Sequence, residues 1–141
     1  MTAVDYLSQA YHLDIRINSK IDQVASLNDL AHKATVIVSG MPHSPNRGKS
    51  TMADTIDKII DLQEEINRDV DRLVDLKAEI VSVIKAVENT EYQALLEKRY
   101  LFFMTWESIS SEMNYGLRWT HIMHNRALDA VNAVLKKKGI A

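Results

Sequence analysis

Apolar residues return every seven positions along two stretches of the chain. Ala3, Ala10, Ile17, Val24, Ala31 and Val38 form the first row, with Leu7 and Ile21 beside it. Ile59, Ile66, Leu73, Ile80 and Val87 form the second, flanked by Leu62, Leu76 and Val83 on one side and by Val70 and Ile84 on the other. Seven residues are close to two helical turns, so each row predicts a long helix with one apolar seam, over roughly residues 3–38 and 51–87. Acidic residues such as Asp57, Asp61, Glu64 and Asp75 occupy the other faces of the second helix and read as a solvated surface. Between the rows, Gly40, Pro42 and Pro45 interrupt regular structure, and Ser50 or Thr51 is placed to cap the second helix. A connector over 39–50 lets the two helices fold back as an antiparallel, coiled-coil-like hairpin. The wide stripe on the second helix asks for a further partner, either a second copy or the C-terminal part of the chain.

The pattern changes at "VENTEY". Asn89 or Thr90 can cap a new helix with Glu91 in its first turn, and Tyr92, Leu95, Leu96, Tyr100 and Phe103 then follow at helical spacing to about Met104. Thr105 caps a short helix carrying Trp106, Ile109 and Met113 on one face. A tight turn at Asn114 to Gly116 precedes a last helix, from about Leu117 to Lys137, with Gly139 as its stop. Short helix, turn, longer helix is the pattern of a helix-turn-helix, with Ile109 and Met113 facing Tyr115, Thr120, Met123, Ala127 and Val131. The expected fold is all-α: a helical hairpin over 1–88 and a small helix-turn-helix domain over 89–141.

Charge and composition sharpen this picture in three ways. The 141 residues contain no cysteine, which excludes disulfides and thiolate metal sites. No eighteen-residue apolar run is present and the first residues, "MTAVDYLSQAYHLDIR", lack the form of a leader, so the expectation is a cytoplasmic chain without a membrane partner. The net charge of −2 conceals a division: residues 1–90 hold ten basic and fourteen acidic side chains, whereas residues 91–141 hold seven and five. The basic excess, together with His121 and His124, lies at the end with the helix-turn-helix and hints at a polyanion partner there.

Catalysis finds little support. "TVIVSGMPHSPNRGKST" resembles a phosphate-binding loop, but the first glycine that a phosphate loop requires falls on His43, and Pro42 and Pro45 remove N–H donors from the cradle. Asp54, Asp57 and Asp61 share a helical face and read as solvated rather than as a magnesium site. His121 and His124 have no carboxylate or thiol at ligand spacing. The expectation is a protein without catalytic residues, cofactor or metal. Arg47 and Lys49 are left as candidates for a contact to a partner.

The residues from Thr105 to Val131, "TWESISSEMNYGLRWTHIMHNRALDAV", resemble the helix-turn-helix of the last conserved region of bacterial sigma factors, without a gap. Thr105, Glu107, Ile109, Met113, Tyr115 and "RAL" at Arg126 to Leu128 carry the match. The whole chain is similar to small phage and prophage proteins related to late-gene regulators of the ArpU and RinA kind. The resemblance implies a transcriptional regulator that binds double-stranded DNA, with the hairpin serving dimerisation or contact to RNA polymerase in the host cell. The exposed candidates on the last helix are Arg118, His121, Asn125 and Arg126, with Arg118 the first choice for a guanine edge and Asn125 a candidate for adenine, and phosphate contacts are expected from Thr105, Arg126, Lys136, Lys137 and Lys138. Leu117 and Ile122 stand where sigma factors carry polar residues that help contact the promoter, and can touch a thymine methyl instead. That departure keeps alternatives open: a sigma mimic that binds polymerase or another host protein, or a packaging protein that recognises phage DNA.

Overall fold

The structure, a computed structural model, describes residues 1–40 and 45–140, with side chains described over 1–33 and 52–140. Five helices and no strand occur among the described residues: α1 (Ala3–Gly40), α2 (Pro45–Lys85), α3 (Thr90–Tyr100), α4 (Trp106–Met113) and α5 (Leu117–Lys137). The expected all-α class is thus observed. No helix among them is long and apolar enough to cross a membrane.

The connector expected over 39–50 is shorter than the sequence pattern suggests. Residues 39 and 40 still belong to α1, and α2 begins at Pro45, so Ser50 and Thr51 lie inside the helix rather than capping it. Proline at the first helical position costs no hydrogen bond, because that N–H has no partner inside the helix, and its fixed φ suits the first turn. Pro42 lies outside the described residues, as do the side chains of Arg47, Lys49 and Val38.

The chain divides into two compact units, Met1–Leu13 with Leu73–Ala141, and Asp14–Arg72. Residues on both sides of position 88 therefore belong to the first. In that unit Ala3, Tyr6, Leu7 and Ala10 of α1 join Ile80, Val83 and Ile84 of α2, Leu96 and Tyr100 of α3, and Ala127, Val131 and Leu135 of α5 in one core. Fully burying an aliphatic side chain of this size is worth roughly 1.5–3 kcal/mol relative to exposure. The amide of Ala3 donates to Asn132 Oδ1 at 3.0 Å, which fixes the start of α1 on α5. A smaller cluster of Leu95, Ile109 and Met123 is where α3, α4 and α5 meet. Ala127 and Val131, expected opposite Ile109 and Met113, belong instead to the larger core.

In the second unit Ile17 of α1 and Ile59 of α2 are buried, and α1 is joined to α2 through Lys20, whose Nζ lies 2.6 Å from Asp69 and 3.4 Å from Glu65. Ala3, Leu7, Ala10, Ile17 and Val24 turn inward as the seven-residue rows predict, but Ile21 does not. Ile17, Lys20, Val24 and Leu27 are among the shielded positions of α1 in this unit, and Ile21, one residue off this line, is 47% exposed. Val70 is likewise 41% exposed, while Asp69 takes the inward place. A lysine within the seam can lay its methylenes along apolar neighbours and bring its ammonium to carboxylates on the facing helix. Asp69 is consequently held below, and Lys20 above, the usual value, chiefly by the hydrogen bond between them.

Candidate nucleic-acid interface

Thr105 sets the start of α4. Its backbone is extended, its Oγ1 accepts from the amide of Ser108 at 3.2 Å and donates to Ser108 Oγ at 3.0 Å. The N-cap read from the sequence is observed, as is that of Asn89, whose Oδ1 accepts from the amides of Glu91 and Tyr92. At the other end of α4, Asn114 adopts a left-handed backbone with φ 59°. Its amide donates to Ser111 O and that of Tyr115 to Ser110 O, the paired bonds that close a helix end. Asparagine is among the few residues other than glycine that enter this region readily. Gly116 then starts α5 with no side-chain cap.

One buried polar chain fixes how α4 meets α5. Ser110 Oγ donates to Thr120 Oγ1 at 2.9 Å, and Thr120 Oγ1 donates to Gly116 O at 3.0 Å. With Thr120, Met123, Ala127, Val131 and Leu135 buried, the opposite face of α5 must point to water. Arg118, Ile122 and Asn125 lie on that outer face, His121 on one flank and Trp119 and Arg126 on the other, all exposed. Arg126 stacks over Trp119 at 5.3 Å, so its guanidinium has a fixed platform. Leu117 is 44% and Ile122 36% exposed, which leaves two aliphatic side chains on the same surface.

The sequence-derived set is not brought together in full. At 1.5 Å per residue, Lys136 lies about 27 Å along α5 from Arg118. Lys138 is tied to Ser82 Oγ at 3.1 Å, and the end of α5 is closed by Gly139, φ 76°, with Ile140 N–H donating to Leu135 O. Thr105, Arg118, His121, Ile122, Asn125 and Arg126 are exposed around α4 and the first half of α5; Lys136 and Lys137 are exposed at its far end. On α4 the carboxylate of Glu112 is neutralised by Lys98 at 2.6 Å.

Behind this surface sits an aromatic group in which His124 is central. Its Nε2 lies 2.7 Å from the hydroxyl of Tyr100, whose ring it stacks against, and the Trp106 ring meets it edge-on at 4.5 Å. Burial, with Arg99 and His121 adding repulsion, lowers its pKa to about 4, so the imidazole is neutral at physiological pH and shares one hydrogen bond with the Tyr100 hydroxyl through Nε2. His121 touches the same Trp106 ring at 4.9 Å. The two histidines are joined through a tryptophan, and no group of three or more potential metal ligands occurs among the described residues.

Arg99 escaped the sequence pattern. Its guanidinium lies 4.5 Å over Trp106 and donates to Met104 O at 2.9 Å, bracing the α3–α4 loop. Both partners lie across a loop, so no helical period reports them. Residues 44–132, more than half of the chain, match the protein family described as "Protein of unknown function (DUF1492)". No curated protein and no solved structure matches the chain.

Proposed function

The chain belongs to the DUF1492 family, described only as of unknown function, and we propose that it is a phage-type transcriptional regulator that binds double-stranded DNA through α5. The observation that carries this reading is the division of α5 into one face buried from Thr120 to Leu135 and one exposed face bearing Arg118, His121, Asn125 and Arg126. It follows a three-residue turn from α4, as in recognition helices that enter the major groove. The likeness of Thr105 to Val131 to the last region of sigma factors supports the same reading. Arg118 is the residue to reach a guanine edge and Asn125 an adenine, while Thr105 and Arg126 contact phosphates. Lys136 and Lys137 contribute attraction at longer range.

Gel retardation tests it. Wild-type chain should retard fragments of the genome that encodes it at low salt, with affinity falling steeply as salt rises. Arg118→Glu should abolish the shift while leaving the circular dichroism spectrum unchanged. Retardation of no fragment at micromolar protein and low salt would overturn the reading.

A second reading, a module that mimics a sigma factor and binds RNA polymerase or another host protein, is favoured by exposed Leu117, Trp119 and Ile122. A partner that co-purifies from host lysate after nuclease treatment would support it over DNA binding.

We also propose a homodimer through α2. Ile56, Ile60, Gln63, Asn67 and Val70 succeed one another in steps of four and three, and all five are exposed. They form a second seam, turned away from α1, uncharged on a helix whose other exposed positions are mostly charged. Ile60 and Asn67 fall where a β-branched residue and a single asparagine favour two parallel strands in one register.

A further inference from the structure

Between the first turns of α1 and the α3–α4 loop the first unit holds a cavity of about 310 Å³. That volume is at the lower end of the range of small-molecule sites. The walls are chiefly rings, those of Tyr11, Tyr100, Phe103, Trp106 and His124, and Arg99 brings a guanidinium. None of the lining residues is acidic. Arg99 uses one of its five N–H donors on Met104 O, and no carboxylate pairs with it among the described residues. The hydroxyl and imidazole of the Tyr100–His124 pair satisfy one another, and the imidazole is neutral, so the cavity carries a single positive charge.

The backbone shows a second sign of a built site. Phe103 sits at φ 56°, a left-handed conformation that a bulky aromatic residue adopts only when its surroundings impose it. The imposition is visible. Met104 N–H donates to Lys98 O at 3.0 Å, Arg99 holds Met104 O, and the Phe103 ring is set between Tyr11, edge-on at 5.4 Å, and the Lys77 ammonium at 4.8 Å. Strain of this kind collects at ligand clamps, and here it turns a ring into the cavity wall.

We infer that this cavity is a binding site for a small planar anion, one aromatic ring bearing a carboxylate, with the ring among Tyr11, Phe103 and Trp106 and the carboxylate on Arg99. A flat ring fits walls of aromatic faces, and a carboxylate matches the fork of a guanidinium without an acidic partner. Thr105 borders both this cavity and the proposed DNA-contact surface, but benzoate binding is read without DNA, so the failure of one reading does not decide the other.

Benzoate and its uncharged counterpart benzamide are the probes. The full chain carrying Trp119→Phe leaves Trp106 as the sole indole, and its fluorescence reports occupancy. Benzoate should shift the Trp106 emission saturably in the millimolar range or below, and bind at least about tenfold more tightly than benzamide, the ratio expected of a charge-assisted pair. Arg99→Gln should erase that preference and Arg99→Lys should keep part of it, with thermal unfolding confirming that each is folded. Should Arg99→Gln fail to fold, Tyr11→Ala serves in its place, because Tyr11 is 45% exposed, and it should weaken benzoate severalfold. No saturable change with benzoate, equal binding of both probes, or benzoate binding untouched by these substitutions would overturn the inference.

Discussion

His124 gives the fold a dependence on pH whose sign follows from its surroundings. In the unfolded chain it titrates near 6.5, and in the fold burial and the neighbouring Arg99 and His121 bring it down to about 4. Between these values the unfolded state binds a proton that the folded state does not. Stability is therefore greatest above the unfolded value and declines as pH falls from about 6.5 towards 4, by on the order of 2 kcal/mol once its partial exposure is allowed for. Urea unfolding followed across that window should show the decline, and His124→Gln, which still offers Tyr100 a hydrogen-bond partner, should flatten it. The carboxylate of Asp69, held low by Lys20, contributes differently: its stabilisation is present above the unfolded carboxylate value and is lost as pH falls below it. A decline that persists undiminished in His124→Gln would assign the effect to other groups.

At the scale of elements, the crossing of α4 on α5 depends on two hydroxyls that are buried together. Thr120→Val removes the acceptor of Ser110 Oγ and leaves that donor in an apolar setting, which should cost about 1–2 kcal/mol in denaturant unfolding. Replacing both, Ser110→Ala with Thr120→Val, should recover most of the loss, because no orphaned group remains. These helices also show what the sequence could reveal. The caps at Asn89 and Thr105, the turn at Asn114 and the bounds of α5 were legible because each depends on residues within a few positions. The start of α2 at Pro45 was misread because proline and glycine signal a break, and proline signals a first turn as well. Lys20 was invisible as a seam residue because its place depends on carboxylates 45 and 49 positions away. Of the candidate interface, the exposed side chains followed from the helical period, whereas the stack of Arg99, Trp106 and His124 required the loop geometry.

For the whole molecule the decisive question is whether two copies act together. A pair joined along Ile56 to Val70 would present two α5 helices, and a dimeric recognition fold reads two half-sites related by its own symmetry. Sedimentation should show a dimer at micromolar concentration. Ile60→Asp, which puts a charge into the middle of the seam, should give a monomer with unchanged helix content and reduced affinity for a two-half-site DNA. A monomeric wild type would remove this part of the proposal and leave the face of α5 untouched.

The bond from Ala3 to Asn132 joins residues 129 positions apart, and around it Tyr6, Leu7 and Ala10 share a core with Ala127, Val131 and Leu135. On the ribosome the first turns of α1 emerge before α2 and α3, which supply Ile80, Val83, Ile84, Leu96 and Tyr100, and their cover is completed only when α5 has been synthesised. Closing so large a loop carries an entropic cost before any contact offsets it, so the helices form quickly and their docking sets the pace of folding. During that interval the part of this core that α5 covers is open, and this is the surface of the nascent chain a chaperone would be expected to hold.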